Sequence, residues 1–147
     1  MVKLSDFGIS KQLENTDSLA VTQCGTTQYM SPERLIGEQY GFESDVWSMG
    51  VIILEALYGK LPFPTATNFM SQMMMITKGD PPKAPEGSSA AVHELTAACL
   101  RKDVTGPNRR PNVQELFRMK WVRTYAEDGS EADQCKRIAA FIDDQIG

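Results

Sequence analysis

Ser44-Asp45-Val46-Trp47-Ser48-Met49-Gly50-Val51-Ile52-Ile53-Leu54-Glu55-Ala56-Leu57-Tyr58-Gly59 is the stretch on which the fold turns. Val46, Trp47, Gly50, Ile53, Leu54 and Leu57 recur at helical spacing, Ser44 or Asp45 can cap the start, and Gly59 ends the run. Val51 and Ile52 fill other faces, so the pattern predicts a helix buried nearly all round. Such a helix needs other helices to cover it.

The flanking sequence supplies them. Downstream, Pro62 and Pro64 mark a loop, and Asn68 to Thr77 reads as a Met-rich helix whose methionines suit either a core or an adaptable contact surface. Pro81, Pro82 and Pro85 mark another loop, after which Ser88 or Ser89 caps a helix through Leu100. A further helix is predicted from Val113 to Met119. A last amphipathic one follows Ser130, with Ala132, Ile138, Ala139, Phe141 and Ile142 on one broad face. Upstream, Gly8 to Met30 is polar and aperiodic and reads as a mobile segment, while Val2-Lys3-Leu4 could be a short strand. The expected fold is mainly α, one helical lobe with at most a residual short strand pair.

Composition sets outer bounds. The 147 residues, 41% of them hydrophobic, suffice for one ordinary domain with a core. A net charge of -4 carries no nucleic-acid or polybasic membrane footprint. Cys24, Cys99 and Cys135 are odd in number and lack metal-ligand spacing, as free thiols in a reducing compartment would be. Met49 to Leu57 is too short to span a bilayer and contains Glu55. These features predict a soluble, cytoplasmic protein without nucleic-acid or membrane partners.

Several short motifs stand in a telling order: Asp6-Phe7-Gly8, Gly25-Thr26, Tyr29-Met30-Ser31-Pro32-Glu33, Asp45-Val46-Trp47-Ser48-Met49-Gly50, Leu61-Pro62-Phe63 and Arg110-Pro111. Alone, Asp-Phe-Gly is most simply a turn. Together the motifs resemble the C-terminal lobe of a eukaryotic protein kinase from its Asp-Phe-Gly onward, over about Val2 to Trp121. Ser18 and Thr22 ahead of Gly25-Thr26, with Tyr29-Met30-Ser31-Pro32-Glu33-Arg34, are similar to the MAP kinase kinases.

The resemblance implies a role for each matching residue. Asp6 would be the ligand of Mg²⁺ against the phosphates of ATP, with Phe7 as packing anchor and Gly8 as hinge. Ser18 and Thr22 would be activation-loop phosphorylation sites whose added charge orders the segment; otherwise they are ordinary loop hydroxyls. Thr26 would bond the catalytic aspartate and shape the substrate pocket, or, without that aspartate, be a solvated hydroxyl. Glu33 and Arg110 would form a buried structural ion pair, with Arg109 as a competitor for the carboxylate. Asp45 would hold the catalytic loop, or would be a plain helix cap. Cys24 and His93 have no neighbours that suggest chemistry.

Residues 1–125 are thus expected to form a partial kinase domain and 126–147 a C-terminal extension. The Gly-rich loop, the phosphate-positioning lysine and the catalytic loop do not occur in these residues. The expectation is a chain that does not bind ATP and Mg²⁺ productively or transfer phosphate by itself. Its full-length form would lie between an upstream activating kinase and a downstream protein kinase substrate. The alternative is a non-catalytic interaction module or decoy, using the Met70 to Met75 face and the segment Glu131 to Ile146.

Overall fold

The computed structural model describes residues 26–64 and 66–127, and over that range it is helical, with no strand. A 3₁₀ turn, Thr26–Tyr29, leads into a one-turn helix, α1 (Pro32–Leu35). Five helices follow: α2 (Glu43–Tyr58), α3 (Phe69–Lys78), α4 (Ala90–Cys99), α5 (Val113–Phe117) and α6 (Lys120–Glu127). Val2-Lys3-Leu4 and the helix expected after Ser130 lie outside the described residues. None of the described helices is long and apolar enough to cross a membrane.

Helix α2 is the axis of the packing. One side carries Trp47, Val51 and Leu54 into a cluster with Leu35, Phe63, Ile76, Ala84 and Leu100, and the Trp47 and Phe63 rings stack with centroids 6.2 Å apart. Another side carries Val46, with Met49 and Ile53 alongside, into a second cluster with Leu95, Cys99 and Leu116. Each fully buried aliphatic or aromatic side chain in these clusters contributes about 1.5–3 kcal/mol. The expectation of burial nearly all round is corrected at Ile52, which is 54% exposed on the third side, and in the last turn, where Leu57 and Tyr58 are each 42% exposed. Periodicity shows which residues are apolar; it does not show whether a neighbour exists to cover them.

The helix ends follow local chemistry. Gly59 stops α2 in the left-handed conformation, φ 65°, which side chains with a Cβ adopt at a cost. At the other end the expected cap is corrected. The helix begins at Glu43 with Phe42 at the cap position and no side-chain cap bond, and the Ser44 hydroxyl is turned to another use. Asn68 caps α3 by accepting from the Ser71 amide at 2.8 Å, and Ser89 caps α4 by accepting from Val92 at 3.3 Å. Asn112 and Glu115 form a reciprocal capping box at the start of α5. The helix expected from Val113 to Met119 breaks after Phe117, and α6 starts at Lys120. The Met-rich α3 divides its methionines. Met73 packs against the first cluster, while Met70 and Met74 are 59% and 58% exposed.

Gly50 lets α4 approach α2. A Cβ at that position would lie 2.7 Å from Cys99 Cβ and 3.1 Å from Leu100 Cδ2. Gly50→Ala adds about 1 kcal/mol of helix propensity, but forcing two packed helices apart costs about 1–3 kcal/mol. The obstruction is a Cβ next to the backbone, which cannot swing away, so steric cost is expected to win. Gly50→Ala should melt at a lower temperature than the parent, and a rise would show that α4 shifts freely.

Candidate functional site

The segment Thr26–Leu35 is folded onto α2 by its own short elements. Its 3₁₀ turn closes with the Met30 amide donating to Thr27 O at 3.2 Å, and Ser31 is extended. Pro32 then opens α1, where its lack of an amide hydrogen costs nothing. Glu33 sits in that first turn, a favourable place for a carboxylate, with its side chain pointing inward and only 4% exposed.

A buried carboxylate requires compensation, and Arg110 supplies it. Arg110 Nη1 and Nη2 donate to Glu33 Oε1 and Oε2 at 2.8 and 3.1 Å. Nη1 also donates to Glu43 O and Nε to Arg101 O, each at 2.8 Å. Ser44 Oγ donates to Glu33 Oε1 at 2.9 Å and itself accepts from Ser31 Oγ at 3.1 Å. The guanidinium carbon lies 5.0 Å from the centre of the Trp47 ring, so the cation also rests on an aromatic face. Trp47 Nε1 is buried with no hydrogen-bond partner. Burial alone would raise the Glu33 carboxyl, but bonds from Arg110 and the backbone amide, together with the Arg110 charge, hold it below its ordinary value.

A second set of contacts ties the same segment to the middle of α2. Tyr29 OH donates to Glu55 Oε2 at 2.8 Å, and Ser48 Oγ donates to Tyr29 O at 2.9 Å. The Glu55 hydrogen bond, burial and the Glu55 charge raise the Tyr29 hydroxyl pKa. Tyr29 is thereby kept as a neutral donor.

Of the residues singled out in the sequence, the structure brings Glu33 and Arg110 together. Asp6, Phe7, Gly8, Ser18 and Thr22 lie outside the described residues. Thr26 begins the 3₁₀ turn. Asp45 is exposed and is the third residue of α2, where its charge complements the helix dipole, so it is not the cap. Arg109 does not compete for Glu33. It donates to both carboxylate oxygens of Glu115 at 2.8 and 2.7 Å, in a pair with 35% and 41% of its side chains exposed. Burial pushes the Cys99 thiol up to about 12, so it behaves as an inert core group. Among the described residues no three His, Cys, Asp or Glu side chains converge on a metal position.

Sequence reasoning missed three participants: Ser44, Trp47 as the face beneath Arg110, and the Tyr29–Glu55 bond. A serine at a helix start reads as a cap, and nothing local says that its hydroxyl turns to a carboxylate eleven residues upstream. The other two link positions far apart in the chain.

Two outcomes are expected. Arg110→Ala should destabilise the fold by about 3–5 kcal/mol, because Glu33 is left charged and buried; Arg109→Ala should lower the melting temperature far less, since exposed pairs contribute little. Thermal melts of both variants decide this, and the reverse order would overturn the assignment. The second outcome concerns acid. Glu33 has a folded pKa below its ordinary 4.5, so its contribution is full above about that pH and is lost as pH falls through the folded value. Melting temperature should therefore drop below about pH 4.5, and Glu33→Gln, already less stable at neutral pH, should show a shallower acid limb.

Comparison with known proteins agrees with the resemblance carried by the motifs. The model of the protein kinase domain matches residues 1–122. Mitogen-activated protein kinase kinase 2 of Arabidopsis thaliana is 38% identical over 135 residues, which cover 87% of this chain and 36% of that protein. MAP kinase kinase PBS2 of Saccharomyces cerevisiae is 38% identical over 132 residues, 84% of this chain and 19% of PBS2. Serine/threonine-protein kinase CST20 of Candida albicans is 32% identical over 139 residues, 94% of this chain and 11% of CST20. The chain thus spans about a third or less of the length of these relatives. With 122 of its 147 residues matched by the domain model, this chain belongs to the protein kinase family and is similar to the MAP kinase kinases.

Proposed function

We propose that these residues are the substrate-side part of a kinase of MAP kinase kinase type, whose whole form phosphorylates a protein kinase in a signalling cascade. The observation that carries this reading is the Glu33–Arg110 pair, which fastens the Tyr29–Arg34 segment to the start of α2 through Ser44 and Glu43 O. With Tyr29 bonded to Glu55 and Ser48, that segment is a fixed platform on the central helix. A platform of this kind suits phosphoryl transfer, in which the protein's work is positioning and electrostatic stabilisation.

The division of labour follows from the parts in hand. ATP and Mg²⁺ supply the transferable group and neutralise its charge when bound; by resemblance Asp6 is the metal ligand, Phe7 and Gly8 set its position, and Ser18 and Thr22 accept activating phosphates. Thr26 and the platform orient the protein substrate, and Glu33, Arg110 and Asp45 keep the lobe in shape. The 147 residues alone do not transfer phosphate in this reading, because the groups that cradle phosphates and activate the hydroxyl are elsewhere. An upstream kinase and a downstream kinase substrate in the cytoplasm complete the proposal.

A second reading, a non-catalytic module that binds cascade kinases, is favoured by one observation. Met70 and Met74 stand exposed on the outer side of α3, as on adaptable protein-binding surfaces.

The test joins these residues to the N-terminal part of the kinase domain of the Arabidopsis relative and assays transfer of labelled phosphate to an inactive MAP kinase. The chimera should label the MAP kinase, Asp6→Ala should reduce labelling to background, and the 147-residue chain alone should give none. Labelling of a general acceptor but not of the MAP kinase would overturn the substrate class. Labelling by the isolated chain would overturn the division of labour. If the chimera is inert while the chain captures cascade kinases, with capture lost in Met70→Ser/Met74→Ser, the second reading replaces the first.

A further inference from the structure

Two large apolar side chains near the end of the lobe stand in water. Val113 is 47% and Phe117 62% exposed. They are four residues apart on α5 and so share one face of it. Helix α6 packs against α4 and α5. Among the described residues, Val113 and Phe117 are the large hydrophobic side chains left exposed on those two neighbours. The match to the protein kinase domain ends at residue 122, whereas the chain continues to Gly147.

That continuation has the length and the pattern to return to them. Residues 131–146 lie outside the described range, and their sequence reads as an amphipathic helix with Ile138, Ala139, Phe141 and Ile142 on its apolar face. Asp128, Gly129 and Ser130 separate this pattern from α6, and a connection of about two to five residues is the kind that joins antiparallel helices. At about 1.5 Å per residue, the 8 residues of α6 span about 12 Å. A helix running back beside α6 covers that distance in as many residues. Ile138 then reaches the α5–α6 corner, with Phe141 and Ile142 just beyond it, toward Phe117.

Charge favours the same arrangement. From Arg109 to Thr124 the chain holds five cations and one carboxylate. Arg110 pairs with Glu33 and Arg109 with Glu115, which also feels the charge of Arg118, so the stretch is net positive. Arg118 and Lys120 line an open cavity at the corner. From Asp128 to Gly147 there are five acidic residues and two basic ones, with Asp143 and Asp144 near the end of the helical pattern. Acids at a helix C-terminus and cations at a helix N-terminus are each unfavourable alone. Antiparallel packing sets the end of the returning segment beside the start of α6 and relieves both.

We infer that the segment 131–146 docks in cis, antiparallel to α6, with its apolar face on Val113 and Phe117 and with Asp143 and Asp144 beside Arg118 and Lys120. The kinase assignment is not needed for this clasp. A protein that binds the segment must first displace it, so the docked fraction lowers the apparent affinity for such a partner.

Trypsin reads the docking in the full chain, because Lys136 and Arg137 lie inside the segment. A docked helix is cut only when it opens, so cleavage after these residues, followed by mass spectrometry, should be at least about tenfold slower in the whole chain than in a synthetic peptide of residues 126–147. Val113→Ser/Phe117→Ser alters exposed side chains and should restore the peptide's rate, whereas Met70→Ser/Met74→Ser should keep the parent's. Arg118→Gln/Lys120→Gln and Asp143→Asn/Asp144→Asn should each speed cleavage, and together no more than either pair alone, as coupled groups do. No protection in the parent, no effect of Val113→Ser/Phe117→Ser, or additive effects of the two charge pairs would overturn the docking. Release by Ile52→Ser instead would put the segment on the open side of α2, and protection that rises with protein concentration would give it to a second copy. Either result also overturns the inference.

Discussion

The Glu33 carboxylate is buried 77 positions away in sequence from the guanidinium that compensates it, and the described lobe is arranged around that requirement. An ion pair removed from water gains little unless its remaining lone pairs and protons are also satisfied. Here most of them are, by Ser44, Glu43 O and Arg101 O. Satisfying them draws the end of the Tyr29–Arg34 segment, the first turn of α2 and the loops around Arg101 and Arg110 to one point. The value of the pair is therefore geometric as much as energetic. It permits one arrangement of these segments and penalises others.

That point is also tied to the apolar core. Arg110 rests on Trp47, Trp47 stacks on Phe63, and Trp47 belongs to the same cluster as Leu35, two residues after Glu33. The unpartnered indole Nε1 is a cost of this arrangement, of the order of 1–3 kcal/mol for a buried donor. The ring is held by its faces, where cation and aromatic contacts act, instead of by its polar edge. A polar platform is thereby built on a rigid support. Tyr29 and Ser48 extend it along α2 without adding a further buried charge pair.

Much of this was legible before any coordinates. The helices over Asn68 to Thr77, Ser89 to Leu100 and from Val113 onward follow from apolar period and capping residues, which are local properties. The pairing of Glu33 with Arg110 came from motif resemblance; spacing alone left Arg109 and Arg110 equal. The structure separates them because Glu115, locked into the capping box with Asn112, offers Arg109 a nearer carboxylate. The same local signals misled at the start of α2. Ser44 has the chemistry of a cap, and only the arrival of Glu33 from α1 turns its hydroxyl elsewhere.

The sequence by itself determined the family, the helical class and the ends of α3 and α4, because motif order, periodicity and capping act within a few turns of chain; α1 and α6 were not foreseen. Only the tertiary structure decided which arginine meets Glu33, which methionines of α3 face out, and that Ile52 and Leu57 on the central helix remain partly in water. Those outcomes depend on which surfaces meet, and one residue's pattern carries no record of its distant partner. The stretch from Ser44 to Gly59 shows both sides of that division. Its helical spacing is written in its own side chains, whereas its burial is set by Arg110, Phe63 and Cys99 brought from elsewhere in the chain.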